Sequence, residues 1–153
     1  TPKPSSAASD VYKRQLQINL LAEVERPLLN KFYRQHRSSM RAAFEGQLWV
    51  ARSSEIIAGM SLSPTAEGYW LTGLFVAPTS RGQGLASQLV GQAVQSVEGP
   101  VWLFCHPDLQ ALYRSMGFCS TTCLPHTLNE RLARYQRSKP LLAMAIDRPG
   151  SRP

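Results

Sequence analysis

The sequence predicts a single α/β domain in which helices cover a mixed sheet, and three observations carry that prediction. The first is length, since 153 residues can close one core but not two. The second is a change of rhythm across residues 71–97. Leu71, Leu74, Phe75 and Val76 form a short apolar run that suits a strand buried on both faces. From Ala86 onward the apolar positions Ala86, Leu89, Val90, Ala93, Val94 and Val97 fall at helical spacing. The third is the alternation of strand and helix patterns on either side of that stretch.

In chain order, Leu16 to Leu21 reads as a first strand. Glu25 to Met40 reads as a helix with Pro27 in its first turn, where a missing N–H costs nothing. Its buried stripe is expected to hold Leu28, Leu29, Phe32, Tyr33 and His36, with structural roles for Tyr33 and His36. Gln47 to Arg52 and Glu55 to Leu62 pair through a turn near Ser53 and Ser54. Ser63 to Gly68 turns the chain into a central strand, Tyr69 to Val76, which Pro78 ends. Glu98, Gly99 and Pro100 stop the long helix ahead of a buried strand, Val101 to Cys105. Pro107 begins another helix, with Leu109, Leu112, Tyr113 and Met116 on one face and Gly117 as its stop. Phe118 to Leu124 reads as extended. Thr127 and Glu130 suggest a capping box for a short helix, Leu128 to Arg137, before a last strand, Leu141 to Ile146.

Composition excludes several classes. The apolar fraction, 43%, is that of a globular chain. No apolar run approaches the roughly 20 residues that span a bilayer, and no signal-like stretch opens the chain. Three scattered cysteines fit free thiols in a reducing, cytoplasmic setting. The set Cys119, Cys123 and His126 lacks a fourth ligand and standard zinc spacing, so no metal is expected.

The net charge of +7 contains a foreign part. Ser5 to Gln15, SSAASDVYKRQ, matches the translation of a transposase sequencing-library adapter, and residues 1–15 are read as a non-native arm. Removing its three basic residues and one acidic residue leaves 14 against 9, a net +5. That excess suits a polyanionic ligand. Nucleic acid is disfavoured, because no basic stripe interleaves with aromatics. The domain is placed at residues 16–147, with residues 148–153 as a frayed tail.

The chemistry starts between strand and helix, at Arg81-Gly82-Gln83-Gly84-Leu85-Ala86. A glycine turn opening a helix presents unpaired N–H groups with the positive end of the helix dipole behind them, a receptor for phosphate or diphosphate. A Walker loop would need Gly-Lys-Ser/Thr, and Leu85 and Ala86 follow Gly84 instead. A dinucleotide fingerprint would need a third glycine where Ser87 stands.

The segment resembles the R/Q-x-x-G-x-G/A motif of the GCN5-related N-acetyltransferases (GNAT), with Arg81, Gly84 and Ala86 in its fixed positions. The preceding Leu74-Phe75-Val76 and the downstream Leu112-Tyr113-Arg114-Ser115-Met116-Gly117-Phe118 arrive in the family's order and spacing. The resemblance implies a mostly antiparallel mixed sheet with a splayed, bulged central strand. The helix before the last strand is an addition to the usual layout. It implies acetyl-CoA as acyl donor, a small-molecule or peptide amine as acceptor, and direct transfer; neither membrane nor metal takes part. The oligomeric state stays open, a homodimer included.

The resemblance also implies site residues. Gln83, Gly84, Leu85 and Ala86, with Gly82 and Arg81 leading in, hold the diphosphate, while Leu74, Phe75 and Val76 align the pantetheine arm. An N–H at Phe75 or Val76 faces the developing oxyanion. Tyr113 matches the tyrosine that protonates the leaving thiolate; its helical phase equally suits a core aromatic whose hydroxyl touches the donor. His106 stands where many relatives have an asparagine that contacts pantetheine, and is a candidate for that contact, for the base, or for a helix cap. Trp70 replaces the strand glutamate that serves many relatives as base. Glu67, His106 and a water chain are the alternatives. A noncatalytic acyl-CoA-binding role on the same fold is the rival reading.

Overall fold

The computed structural model of the chain describes residues 16–147, so the expected arm at 1–15 and tail at 148–153 lie outside the described residues. Seven strands form one sheet: β1 (Gln17–Leu21), β2 (Gln47–Arg52), β3 (Ile56–Pro64), β4 (Tyr69–Val76), β5 (Pro100–Cys105), β6 (Cys119–Ser120) and β7 (Leu142–Asp147). Their order is β1-β2-β3-β4-β5-β7-β6, antiparallel except between β4 and β5. Four helices accompany them: α1 (Arg26–Gln35), α2 (Leu85–Gln95), α3 (Gln110–Ser115) and α4 (His126–Tyr135). A parallel pair needs a crossover, and α2 supplies it between β4 and β5. No helix among the described residues is long and apolar enough to cross a membrane.

Alternation along the strands divides the core in two. Trp49, Ala51, Ala58, Met60 and Leu62 face α2, where Leu89, Val90 and Ala93 are buried against them. Full burial of a valine, leucine or methionine among them contributes about 1.5–3 kcal/mol. Leu48 and Val50 face the other way, onto Leu29, Phe32 and Tyr33 of α1. Gly59 lets α1 approach, because a Cβ there would collide with Leu29 Cδ1. On that same side α4 buries Leu128 and Leu132, and the Tyr135 ring meets Phe104 edge-on at 6.2 Å.

Several expectations change. The first helix ends at Gln35 rather than Met40, because Arg37 takes a left-handed conformation (φ 58). Ser38 N–H then donates to Tyr33 O at 2.9 Å and Arg37 N–H to Arg34 O at 3.0 Å, the paired bonds of a Schellman end. Leu28 and His36 are exposed rather than part of its buried stripe. The capping box does not form: α4 starts at His126 behind Pro125, no side chain caps it, and Thr127 lies inside the first turn. Between Phe118 and Leu124 only Cys119 and Ser120 are strand. Cys119 and Cys123 are exposed, whereas Cys105 is buried.

The expectation of a central strand buried on both faces also fails, for an informative reason. Leu71 alone in β4 is buried; the rest is half-buried. β4 and β5 pair only at Tyr69–Val101 and Trp70–Trp102, and beyond Trp70 the two part. The side of β4 that would have met a neighbour instead borders a cavity.

Candidate functional site

Gly73 sets the shape of the site. Gly59 pairs with Phe75 and Ser61 with Thr72, so β4 carries one residue more than β3 between those pairs. That is a bulge, and Gly73 adopts φ +70 within it. The extra residue reverses the alternation. Tyr69 and Leu71, then Leu74 and Val76, pack toward α2, while Phe75 packs toward α1. Tyr33, fully buried on α1, reaches through and donates its hydroxyl to Gly73 O at 2.7 Å. Burial pushes that phenol well above its ordinary pKa, so it stays a donor. An isolated glycine in an apolar strand is a bulge signal. That signal was present in the sequence; the partner Tyr33, forty residues away, was not.

The register decides which amide the bulge exposes. Ala77 N–H donates to Ile57 O at 2.8 Å across the β3–β4 ladder. Phe75 shares its phase, so Phe75 turns its N–H toward β3, and Val76 turns its N–H and C=O to the opened side. Consistently, Val76 O accepts from Arg81 Nε at 2.8 Å, and the Arg81 guanidinium lies 5.1 Å from the Phe75 ring centroid. Arg81 thus ties the strand end to the glycine turn, and the Val76 N–H is left facing the gap.

The turn has the geometry that an anion site needs. Gly82 (φ +82) and Gly84 (φ +75) are both left-handed, and nothing lies within 4 Å of where either Cβ would stand. Gly84 is the N-cap of α2 and supplies no side-chain bond to the first-turn amides. Those amides have no intrahelical partner, so they and the helix dipole point outward together.

Strand end, turn and α3 enclose one cavity of about 440 Å³. Leu74, Phe75, Val76, Arg81, Gly82, Gly84, Leu85, Ala86 and Tyr113 all line it, together with Ser80, Ser87, Leu109 and Leu112. Gln83 and His106 of the expected set do not line it. Leu109 and Leu112, expected to pack on the same face as Tyr113, are half-exposed and form the apolar rim. Tyr113 is buried, its ring edge-on to Phe118 at 6.0 Å. Burial, with a smaller contribution from Cys105, pushes its pKa up to about 12. His106 caps the turn before α3: its Nδ1 accepts from Asp108 N–H at 3.1 Å. Glu67 is exposed in the β3–β4 turn, apart from the cavity. Among the described residues no group of three or more His, Cys, Asp or Glu could hold a metal.

A second cavity, of about 590 Å³, lies on the α1–α4 side of the sheet. Trp70 and Thr72 of β4 line it, with residues 43–45, 63–65 and Thr127, Leu128 and Arg131 of α4. Its 43–45 wall is fixed by side chains from elsewhere. Arg26 donates to Ala43 O (2.9 Å) and Phe44 O (2.7 Å), Asn30 Oδ1 accepts from Ala42 N–H (2.8 Å), and buried Ser61 Oγ accepts from Ala43 N–H (3.0 Å). Nothing in the local sequence of that loop announces these bonds.

A domain model described as "Acetyltransferase (GNAT) domain" matches residues 44–120. No curated protein sequence matches the chain. Among solved structures, the YhbS GNAT-family N-acetyltransferase of Escherichia coli, in complex with CoA, is 20% identical. It has a TM-score of 0.60, with 86% of this chain and 81% of that one covered. A GNAT family acetyltransferase from Elizabethkingia anophelis with acetyl-CoA bound is 15% identical (TM-score 0.60; 88% and 99% covered). N-acetylglutamate synthase from Neisseria gonorrhoeae, complexed with coenzyme A and N-acetyl-glutamate, is 13% identical (TM-score 0.60). Of this chain 86% is covered there, but only 34% of the synthase. Identities this low speak for the fold alone.

Proposed function

The chain belongs to the GNAT acetyltransferase family, and from that premise we propose that it moves an acetyl group from the thioester of acetyl-CoA to a primary amine within a ternary complex. The observation that carries the reading is the convergence, on one cavity, of the glycine-capped start of α2, the bulged end of β4 and the Tyr113 ring. Neighbours of the same fold with CoA or acetyl-CoA bound support the choice of donor.

In this reading the amides of Gln83 to Ala86 and the adjoining Gly82 hold the diphosphate, and Arg81 keeps the turn against the strand. The pantetheine arm runs along the opened edge of Leu74, Phe75 and Val76 as an additional strand would. The thioester oxygen accepts from Val76 N–H; such a preorganised donor is worth about 3 kcal/mol to a developing oxyanion. The amine nitrogen attacks the carbonyl carbon, the N–C bond forms, and the C–S bond breaks with its electron pair on sulfur. Tyr113 gives that thiolate its proton and is reprotonated from solvent. The raised pKa keeps the phenol protonated at neutral pH. The same loss of water raises the proton affinity of a thiolate formed beside it, which narrows the gap between acid and base.

The amine proton leaves by water. In this reading His106 does not take it, since the residue does not line the cavity. While Nδ1 accepts from Asp108 N–H, the neutral ring carries its hydrogen on Nε2, which leaves no lone pair there. His106→Asn keeps a capping acceptor and removes the ring. An unchanged kcat is the expected result, and a large loss would return His106 to the proton path.

The test of the whole reading is release of free thiol from acetyl-CoA across a panel of primary amines, with the acetylated product weighed by mass spectrometry. Amine-dependent release, matched by product, is expected. CoA binding without amine-dependent release overturns the reading and favours the noncatalytic acyl-CoA-binding role that Trp70, in place of a strand carboxylate, suggests.

A further inference from the structure

The second cavity has chemistry that the donor site does not use. Its floor is Trp70, at the last position where β4 and β5 pair, and Thr72, the residue before the bulge. It therefore meets the gap between the two strands from the face opposite the first cavity. The Arg131 guanidinium of α4 lies 4.8 Å from the Trp70 ring centroid, and Phe104, beyond the parting of the strands, backs the same indole at 5.4 Å. Arg131 is half-buried, and no carboxylate pairs with it among the described residues. Glu45 is the one acidic side chain lining the cavity; it is exposed, so water screens it. A cation held on an aromatic face and unpaired with any acid is a ready donor for an incoming anion, and a guanidinium suits the two oxygens of a carboxylate.

We infer that Arg131 is the specificity residue of the acceptor site and binds the carboxylate of a small amine, so that the acceptors are amino acids rather than simple amines or polyamines. The inference rests on the acetyl-transfer reading. A carboxylate on Arg131 leaves the amine of the same molecule to reach through the strand gap toward the thioester. The 43–45 wall, pinned by Arg26, Asn30 and Ser61, sets the space for the remainder.

The test compares the common α-amino acids with their α-carboxamides, on the wild type, Arg131→Gln and Arg131→Lys, by thiol release. A charge-assisted pair is worth enough for kcat/KM to favour the acid by about tenfold or more. In Arg131→Gln that preference falls to near one, the acid losing far more than the amide, and Arg131→Lys recovers part of it. A ratio unchanged by Arg131→Gln, or a wild-type preference for the amide, overturns the inference. Should no amine release thiol, the transfer reading fails separately. Calorimetry on the CoA-loaded protein then decides: N-acetyl amino acids that bind the wild type but not Arg131→Gln support the anion site. Equal binding of their amides, or no binding at all, overturns it.

Discussion

The two cavities flank the same strand and are built by opposite means. The α2 side is made of backbone: a bulge at Gly73, a turned amide at Val76, two left-handed glycines and a helix mouth. The α1–α4 side is made of side chains delivered from four separate segments: Trp70, Arg131, the 43–45 loop and the turn after β3. A backbone site must keep its local letters, since only glycine tolerates those angles without strain. A side-chain site can be rebuilt from any residue that reaches it. One half is therefore suited to a fixed ligand and the other to a variable one.

That contrast can be broken at several points, the largest effect first. Tyr113→Phe removes the proton but keeps the ring against Phe118, so turnover is expected to fall about a hundredfold or more while CoA affinity by calorimetry barely moves. Unchanged turnover would return Tyr113 to the role of a core aromatic. Gly84→Val meets no protein atom within 4 Å; it forces a branched residue to φ +75 and sets methyl groups before the first-turn amides. CoA affinity should drop roughly a hundredfold, the loss of about two charge-assisted hydrogen bonds, and the fold should cost about 1–2 kcal/mol.

Tyr33→Phe tests whether the two halves are coupled, because this α1 side chain holds the bulge that serves the other face. Leaving the Gly73 carbonyl unpaired should cost about 1–3 kcal/mol, with kcat down more than the KM for acetyl-CoA rises. The same variant sharpens the pH behaviour. Burial raises the pKa of both Tyr33 and Tyr113, so the fold favours their neutral forms. The stability this contributes is complete below the unfolded value near ~10 and is lost as pH climbs toward the folded values, about 12 for Tyr113. The melting temperature should thus decline above that point, and less steeply in Tyr33→Phe. The smallest effect is reserved for Asn30→Ala, which frees Ala42 N–H and loosens the 43–45 wall. It should raise the KM for amine a few-fold and leave CoA binding alone; the reverse pattern would place the loop on the donor side.

The same contrast explains what could be read without coordinates. The span of β4, the crossover helix and the glycine turn were legible because local rules dictate them: Pro78 ends a ladder, apolar spacing makes a helix, and Gly82 and Gly84 permit a turn. Residues lining the first cavity followed, since most lie within one run from Leu74 to Ala86. The early end of α1 was not legible, because Arg37 is no usual left-handed residue and only the bonds to Tyr33 and Arg34 stabilise it. Nor was the half-burial of β4, which depends on where β5 turns away. The second cavity depends on contacts such as Arg131 over Trp70 that no spacing encodes. Thr127 and Glu130 had the letters of a capping box, yet the helix starts behind Pro125, two residues too soon for it.

The central claim is that bare amides at the start of α2 grip the donor while the opened edge of β4 aligns it. Amide hydrogen exchange with and without CoA reads both segments at once. Slowed exchange concentrated at residues 83–87 and 74–76 on adding CoA is the predicted result. Protection that appears elsewhere and spares those amides, at CoA concentrations that saturate the protein, would contradict the account.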